Sequence, residues 1–402
     1  MTPTPSSVPS SSMPHGSSGP PAWAEAGHTA DGAVDAGSAG LPAGWRPLPY
    51  QPAFEQAQPD EAEAIAELER VLIHMAQVVA VQDGEAHRAV HAKGHALLRG
   101  RLQVLAGLPP PLAQGLFAEP RAYDTVIRFS SPPAELLPDD VGTVRAVALK
   151  VLDVPGARLP DSPAGTTQDF LMVSTPVFPR AGPQGFLQDM RLLAATTGRS
   201  PRAKQILSAA LRGVEAAIEA IGGEATRLRG AGGQPLTHPL GERFFAQVPF
   251  LYGDYMARFS LVPVSPSLTA LAGARLDSSH DDAQREAIRV FFAPGGGAPA
   301  EWELQVQLCT DLDRMPIEDA SVEWDTGLSP YLPVARLTVG AQASWTGADS
   351  EREEQALAFD PWHALAAHRP LGGVNRARRV VMASSRRFRS DFNRCPIHQP
   401  GA

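Results

Sequence analysis

A chain of 402 residues with 43% hydrophobic and 19% charged side chains has the composition of a globular protein, long enough for one large domain or two average ones. The net charge of -8 argues against general nucleic-acid binding, and no apolar run approaches the ~18 residues that a membrane span requires. No Lys or Arg precedes Arg46, so we expect no secretory signal and a cytoplasmic location. Cys309 and Cys395 are too few for a disulfide framework or a thiolate zinc site.

Residues 1–45 are rich in Pro, Ser, Gly and Ala. Such a segment buries too little apolar surface to offset the entropy lost on ordering, so we expect a disordered tail followed by one domain over 46–402. The first predicted element of that domain is an amphipathic helix over 61–81, after an acidic first turn. Its apolar residues recur at helical spacing: Ile65, Leu68, Leu72, Met75 and Val79.

Short apolar runs bounded by Pro or Gly predict strands along the rest of the chain. They cover 124–130, 144–152, 169–174, 255–262, 287–292, 302–308 and 334–339. A helical interval over 206–218 separates the two strand groups, with Ile206, Ala210, Val214 and Ile218 on one face, and helix returns from about 361. Few βα units alternate, so we predict an α+β fold around an antiparallel barrel.

Four motifs in the first strand group carry polar residues of chemical interest. They are Arg88-Ala-Val-His91-Ala-Lys-Gly94, Val126-Ile-Arg128-Phe129-Ser130, Arg145-Ala-Val-Ala-Leu-Lys150 and Asp169-Phe-Leu-Met-Val-Ser174-Thr-Pro-Val-Phe178. Arg128 enters a strand that should be half-buried, and a buried arginine needs an anionic partner.

In order and spacing these motifs resemble those of catalases, and residues 359–378 resemble a shorter, catalase-related bacterial branch. The likeness covers roughly 85–390. It implies a catalase-like antiparallel β-barrel with surrounding and C-terminal helices, and haem b, with its iron, as cofactor. A peroxide or an organic hydroperoxide would be the small-molecule substrate, and the sequence leaves open whether the protein forms a homodimer.

The resemblance also implies roles for single residues. His91 matches the distal acid–base histidine, and Ser130 matches the serine that orients it. The arginines that match partners of the haem propionates are Arg88, Arg128 and Arg389, since two buried carboxylates need charge-assisted hydrogen bonds. The apolar residues expected beside the cofactor are Val90, Phe129 and Phe178.

Two positions depart from the catalase pattern. Val173-Ser174 stands where catalases have a distal asparagine, so only the Ser174 hydroxyl could help to position peroxide. Met382 stands where catalases have the tyrosinate that ligates iron. Arg378, Met382 and Arg389 share one helical face. The resemblance therefore implies that Met382 is the iron ligand and that Arg378 would face no anion. A neutral thioether raises the reduction potential, which predicts weak or absent peroxide disproportionation.

Several interpretations therefore remain open. The chain could be an oxidoreductase that uses peroxide or oxygen to oxidise an organic substrate at haem. It could instead be a haem-dependent lyase or isomerase, like the allene oxide synthases, or a haem-free binding protein in which Met382 only fills the core. A non-haem metal site at His87, His91 and His95 would require a helix, where catalases have the start of a strand.

Overall fold

Nine strands and six α-helices are formed by the part of the chain that the computed structural model describes, namely Pro42 and residues 44–160, 162, 165–194, 236–277 and 280–397. The predicted helical interval over 206–218 lies outside these residues, as does nearly all of the predicted tail over 1–45. The boundary of the predicted domain at residue 46 stays a prediction.

The strands are β1 (Lys93–Val104), β2 (Ala122–Ser131), β3 (Ala146–Val151), β4 (Gln168–Val173), β5 (Phe244–Phe245), β6 (Phe250–Tyr252), β7 (Tyr255–Pro263), β8 (Ala300–Leu308) and β9 (Leu332–Val339). The helices are α1 (Glu61–Asp83), α2 (Pro183–Ala194), α3 (Pro266–Thr269), α4 (Ala283–Phe292), α5 (Ala348–Ala356) and α6 (Gly373–Asn393). All the predicted strands but one are present, and so are the helices expected at 61–81 and in the C-terminal segment.

Eight of the strands close into a barrel. Their pairing runs β5-β4-β3-β2-β1-β9-β8-β7, and β5 also pairs with β7 through Phe244 and Leu261. The short β6 pairs with the same side of β7 as β5 does. Every pairing is antiparallel. Closure of the barrel leaves its eight strands without a free edge. The predicted α+β fold around an antiparallel barrel is confirmed.

The barrel interior is filled by alternate residues of its strands. In β8 the inward residues Trp302, Leu304 and Val306 are buried in the main hydrophobic core, whereas Glu301 and Glu303 face outward. Since side chains alternate between the two faces of a strand, this pattern follows from the apolar–polar alternation of the sequence.

The strand predicted over 287–292 is wrong, because this segment belongs to helix α4. Its buried residues Gln284, Ile288 and Phe291 recur every three or four positions, which is the period of a helix. The prediction followed the dense apolar residues at the end of the segment, although Val290 among them is exposed.

Helices α1, α2 and α6 pack together outside the barrel in a second hydrophobic cluster that includes Leu72, Leu187 and Val381. The chain segment before β1 is bound to α6. The side-chain amide of Asn393 bonds to both the N–H and the C=O of Ala86, at 2.8 Å each. None of the described helices is both long and apolar enough to cross a membrane.

Candidate functional site

Two of the predicted arginines bond to one buried carboxylate, that of Glu354 in α5, and the charge of a third also acts on it. Glu354 Oε1 accepts hydrogen bonds from Arg88 Nη1 at 2.6 Å and from Arg128 Nε at 2.5 Å. Burial raises the pKa of Glu354, but the positive charges of Arg128, Arg88 and Arg389 outweigh it and the net shift is downward. Glu354 is therefore an ionised partner of this group, which we call the arginine cluster (Arg88, Arg128 and Arg389).

The remaining donors of the arginine cluster bond mainly to the end of α5. Arg88 Nη2 donates to the carbonyl oxygens of Glu354 at 2.8 Å and Leu357 at 3.0 Å. Arg389 Nη1 donates to Gln355 Oε1 at 2.7 Å and to the Gln355 carbonyl at 3.1 Å. These contacts satisfy hydrogen-bond donors, but neutral oxygens do not balance the charge of the guanidinium groups.

Charge within the arginine cluster is unbalanced as a result. Three guanidinium groups meet one carboxylate, Glu354, among the described residues. Burial lowers the pKa of Arg88 well below its usual value, and repulsion from Arg128 and Arg389 lowers it further. Burial also lowers the pKa of Arg389, to about 10. An anionic ligand would relieve this excess positive charge.

His91 lies beside the arginine cluster in a strained backbone conformation. Its φ of 57° is in the left-handed region, which residues other than glycine adopt rarely and which is frequent at functional sites. The His91 carbonyl accepts a hydrogen bond from Arg128 Nη2 at 2.7 Å, and its N–H donates to the Pro132 carbonyl at 2.7 Å. These two bonds hold the loop in place.

The imidazole of His91 is kept neutral by its surroundings. Burial, followed by the positive charges of Arg128, Arg378 and Arg88, lowers the pKa of His91 to about 3. Ser130 Oγ lies 3.5 Å from Nδ1, a long contact in the predicted pairing. Among the described residues nothing bonds to Nε2, and part of the surface of His91 remains accessible to solvent. His91 therefore presents one ring nitrogen to a ligand.

Helix α6 carries Arg378 and Met382, which the resemblance assigns to cofactor binding and iron ligation. Arg378 is close enough to His91 for its charge to lower the histidine pKa. Burial lowers the pKa of Arg378 to about 10, and its guanidinium makes a 3.4 Å contact with Asn375 Oδ1. Met382 is half-buried one helical turn further along, so it shares the face of Arg378.

The other predicted site residues are divided between this region and the core. Val90 packs against the helical cluster of α1, α2 and α6. Phe178 lies edge-on to Phe186, with ring centroids 4.9 Å apart. Ser174 Oγ accepts a hydrogen bond from the Arg145 N–H at 3.1 Å. Phe129 lies apart from the arginine cluster, because it faces the barrel interior. Its ring centroid is 5.9 Å from that of Phe244.

The three histidines spaced by four do not share a helix. His95 is in β1, where its Nε2 lies 2.7 Å from Ser131 Oγ. His87 Nε2 lies 3.2 Å from Asp83 Oδ2. In the described part of the chain, no group of three or more His, Cys, Asp or Glu side chains is arranged to hold a metal.

A second buried ionic group connects the barrel to the chain that precedes α6. Both oxygens of Asp169 on β4 lie 2.7 Å from Lys150 Nζ on β3, and one lies 3.0 Å from His363 Nδ1. Burial raises the pKa of Asp169, but Lys150 and His363 together bring it below its usual value. Arg386 of α6 approaches Asp360 at 3.6 Å, so this ionic group helps to fix α6 against the barrel.

We expect the stability of the protein to fall as the pH drops from 6.5 to 5. Burial lowers the pKa of His238 and His368 to about 4, and that of His91 to about 3. The unfolded chain binds protons to these histidines below about pH 6.5 whereas the folded chain does not, so protonation favours unfolding by at most about 1.4 kcal/mol per pH unit per histidine. Urea unfolding at pH 7.5, 6 and 5 measures the effect, and a constant free energy of unfolding would contradict it.

Glutamate 354 is the residue of this site that the sequence analysis missed. Helix α5 that carries it is polar along its whole length, and Glu354 is its one buried residue among those described. No hydrophobic periodicity points to that position. The one available signal was the buried arginine expected at 128, which required an anion somewhere in the chain.

Comparisons with solved structures identify the fold. Catalase A from Saccharomyces cerevisiae matches with a TM-score of 0.53 and 18% identity over 80% of this chain, which spans 65% of that protein's length. A fungal catalase matches with a TM-score of 0.54 and 16% sequence identity; the match covers 80% of this chain and 63% of that catalase. A bacterial catalase matches with a TM-score of 0.54 and 18% sequence identity; the match covers 92% of this chain and 69% of that catalase. No family model and no curated protein matches. The chain therefore has a catalase-like fold, at an identity that establishes the fold alone.

Proposed function

We propose that the protein is a haem-binding, catalase-related oxidoreductase that uses a peroxide or oxygen to oxidise an organic substrate, with little peroxide disproportionation. The observation that carries this proposal is the arginine cluster, in which three guanidinium groups meet one carboxylate beside the neutral His91. Haem carries two propionates, which would give these guanidinium groups anionic partners. The residues present therefore fit this cofactor.

Under this proposal Arg88, Arg128 and Arg389 hold the propionates by charge-assisted hydrogen bonds. Met382, on the face of α6 that also carries Arg378, would be the residue that ligates the haem iron. Bound haem supplies the iron at which an O–O bond is reduced. The thioether is a soft, neutral ligand that favours the reduced metal, which opposes disproportionation.

His91 supplies acid–base chemistry in the proposed reaction. A neutral imidazole accepts a proton at Nε2 from one peroxide oxygen and donates it to the departing oxygen. Ser130 contacts Nδ1 and thereby orients the ring. Val173 cannot form a side-chain hydrogen bond, and the Ser174 hydroxyl already accepts from the backbone of Arg145. The Ser174 O–H can still donate, but one hydroxyl offers peroxide fewer hydrogen bonds than the asparagine amide of catalases, which supports an organic substrate.

Titration of the purified full chain with hemin tests the proposal. We expect a saturable Soret band at a ratio of 1:1, and we expect Arg88→Gln to weaken hemin binding by about 10- to 100-fold, because each lost charged hydrogen bond costs about 1.5–3 kcal/mol. Arg101→Gln is the control, since Arg101 is an exposed arginine of β1 paired with Asp124. Absence of a Soret band in the wild type, or equal affinities in all three proteins, would contradict the assignment.

Product analysis then separates the reaction classes. Under the proposal, hydrogen peroxide with an oxidisable organic compound gives an oxidised product and little oxygen gas. Rearrangement of a lipid hydroperoxide without any reductant would instead indicate a lyase or isomerase. The His91→Gln variant should lose turnover in either case while it retains the Soret band, because the proton transfer is lost and the arginine cluster is not.

A further inference from the structure

The end of α5 occupies the arginine cluster as an internal ligand would. Residues 354–357 accept hydrogen bonds from five guanidinium nitrogens, on Arg88, Arg128 and Arg389. The Glu354 carboxylate lies in the interior with a 6% exposed side chain. It packs so closely on β1 that a Cβ added to Gly94 would come within 2.9 Å of Glu354 Oε2.

Helix α5 is otherwise weakly anchored. Its acidic neighbours point to solvent: Glu353 pairs with Arg99 with 48% of its side chain exposed, and Asp349 pairs with Arg352 at 74% exposed. Exposed ion pairs contribute little, with a median of about 0–1 kcal/mol. The helix is therefore held mainly at its C-terminal end. Glu354 and Gln355 bond to the arginine cluster, and Leu357 is buried in a hydrophobic cluster with Leu97 and Val126.

The hydrogen-bond donors of the arginine cluster are largely used, whereas its positive charge is not balanced. The donors that face residues 354–357 are already used, so an incoming carboxylate finds few free N–H groups. The charge is still in excess, so the cluster attracts a further anion. A ligand carboxylate can gain these hydrogen bonds only by replacing the acceptors that now hold them.

We propose that Glu354 is an internal competitor for the propionate position, and that haem enters only when the end of α5 leaves the arginine cluster. This inference rests on the proposed function. It makes residues 348–357 an autoinhibitory segment, whose detachment is coupled to binding of a dicarboxylate cofactor. By linkage, whatever loosens α5 raises the affinity for haem, and haem in turn loosens α5.

Glu354→Gln tests this proposal, with Glu353→Gln as the matched control on the same helix. Glutamine keeps the size and an acceptor oxygen but removes the charge that attracts the arginines. Hemin titration followed by absorbance should give at least tenfold tighter binding for Glu354→Gln and no change for Glu353→Gln. In the wild type, hydrogen exchange of residues 348–357 should become faster on addition of hemin.

The outcomes separate the two proposals. Hemin binding in the wild type with equal or weaker binding in Glu354→Gln overturns the inference and leaves the proposed function intact. Binding by Glu354→Gln alone supports the inference and refutes haem binding by the native chain. Binding by neither overturns both. Should Glu354→Gln fail to fold, the exchange measurement on the wild type decides, because slower or unchanged exchange in 348–357 overturns the inference.

Discussion

Replacement of Met382 by tyrosine is expected to convert the hemin-loaded protein towards a catalase. The phenolate would be an anionic ligand, and the half-buried Arg378 one turn away would stabilise its charge. We expect the midpoint potential to fall by on the order of a few hundred millivolts, and oxygen release from hydrogen peroxide to rise by about tenfold or more. Spectroelectrochemical titration and an oxygen electrode measure the two effects.

Two further variants of α6 control this experiment. Met382→Leu keeps the volume but removes the sulfur, so its Soret spectrum should lose the signature of the wild-type ligand. Val380→Tyr places a phenol on the exposed face of the same helix and should change neither potential nor activity. A wild-type potential as negative as that of a tyrosinate-ligated haem would show that Met382 does not bind the iron.

Asp169→Asn is expected to cause the largest loss of stability of any single change considered. It removes the negative charge that lies 2.7 Å from Lys150, where both side chains have no exposed surface. An unpaired charge would remain in the interior, and breaking a buried ion pair in this way costs about 3–5 kcal/mol. Denaturant unfolding at pH 7 measures the free energy of unfolding directly.

The Arg180–Asp189 pair provides the control for this prediction. Its contact is short and bidentate, but the two side chains are 41% and 32% exposed. Solvent screens such a pair, so Asp189→Asn should cost about 0–1 kcal/mol. If Asp169→Asn also costs less than about 1 kcal/mol, the buried ionic group does not contribute to stability as argued. The contribution of Asp169 should be present above about pH 3.9 and disappear as acid protonates the folded state, because its folded pKa is lowered.

Much of the barrel was predictable because strand burial leaves a period of two in the sequence. The alternation of Trp302, Leu304 and Val306 with polar residues specified both a strand and its inward face. The same criterion failed at 287–292, where adjacent apolar residues concealed a helical period. Hydrophobic periodicity therefore predicted the strands well where buried and exposed residues alternate.

The pairings within the site were less accessible to sequence analysis. The arginines at 88 and 128 could be assigned to an anion, but their partner is 266 and 226 residues away in a helix without apolar periodicity. No spacing rule relates such distant positions. The resemblance to catalases implies propionates as the partners of these arginines and does not point to a carboxylate of the protein.

The bonds between the segment before β1 and helix α6 bear on the order in which the protein assembles. Asn393 joins Ala86 across 307 residues of sequence, and Ser385 joins Ala89 across 296. The barrel strands are synthesised before α6, so Ala86 and Ala89 can form these bonds only when α6 has also been synthesised. Contacts of such long range slow folding because the chain must close a large loop first. Residues 86–89 should thus acquire protection from solvent exchange later than the barrel strands do.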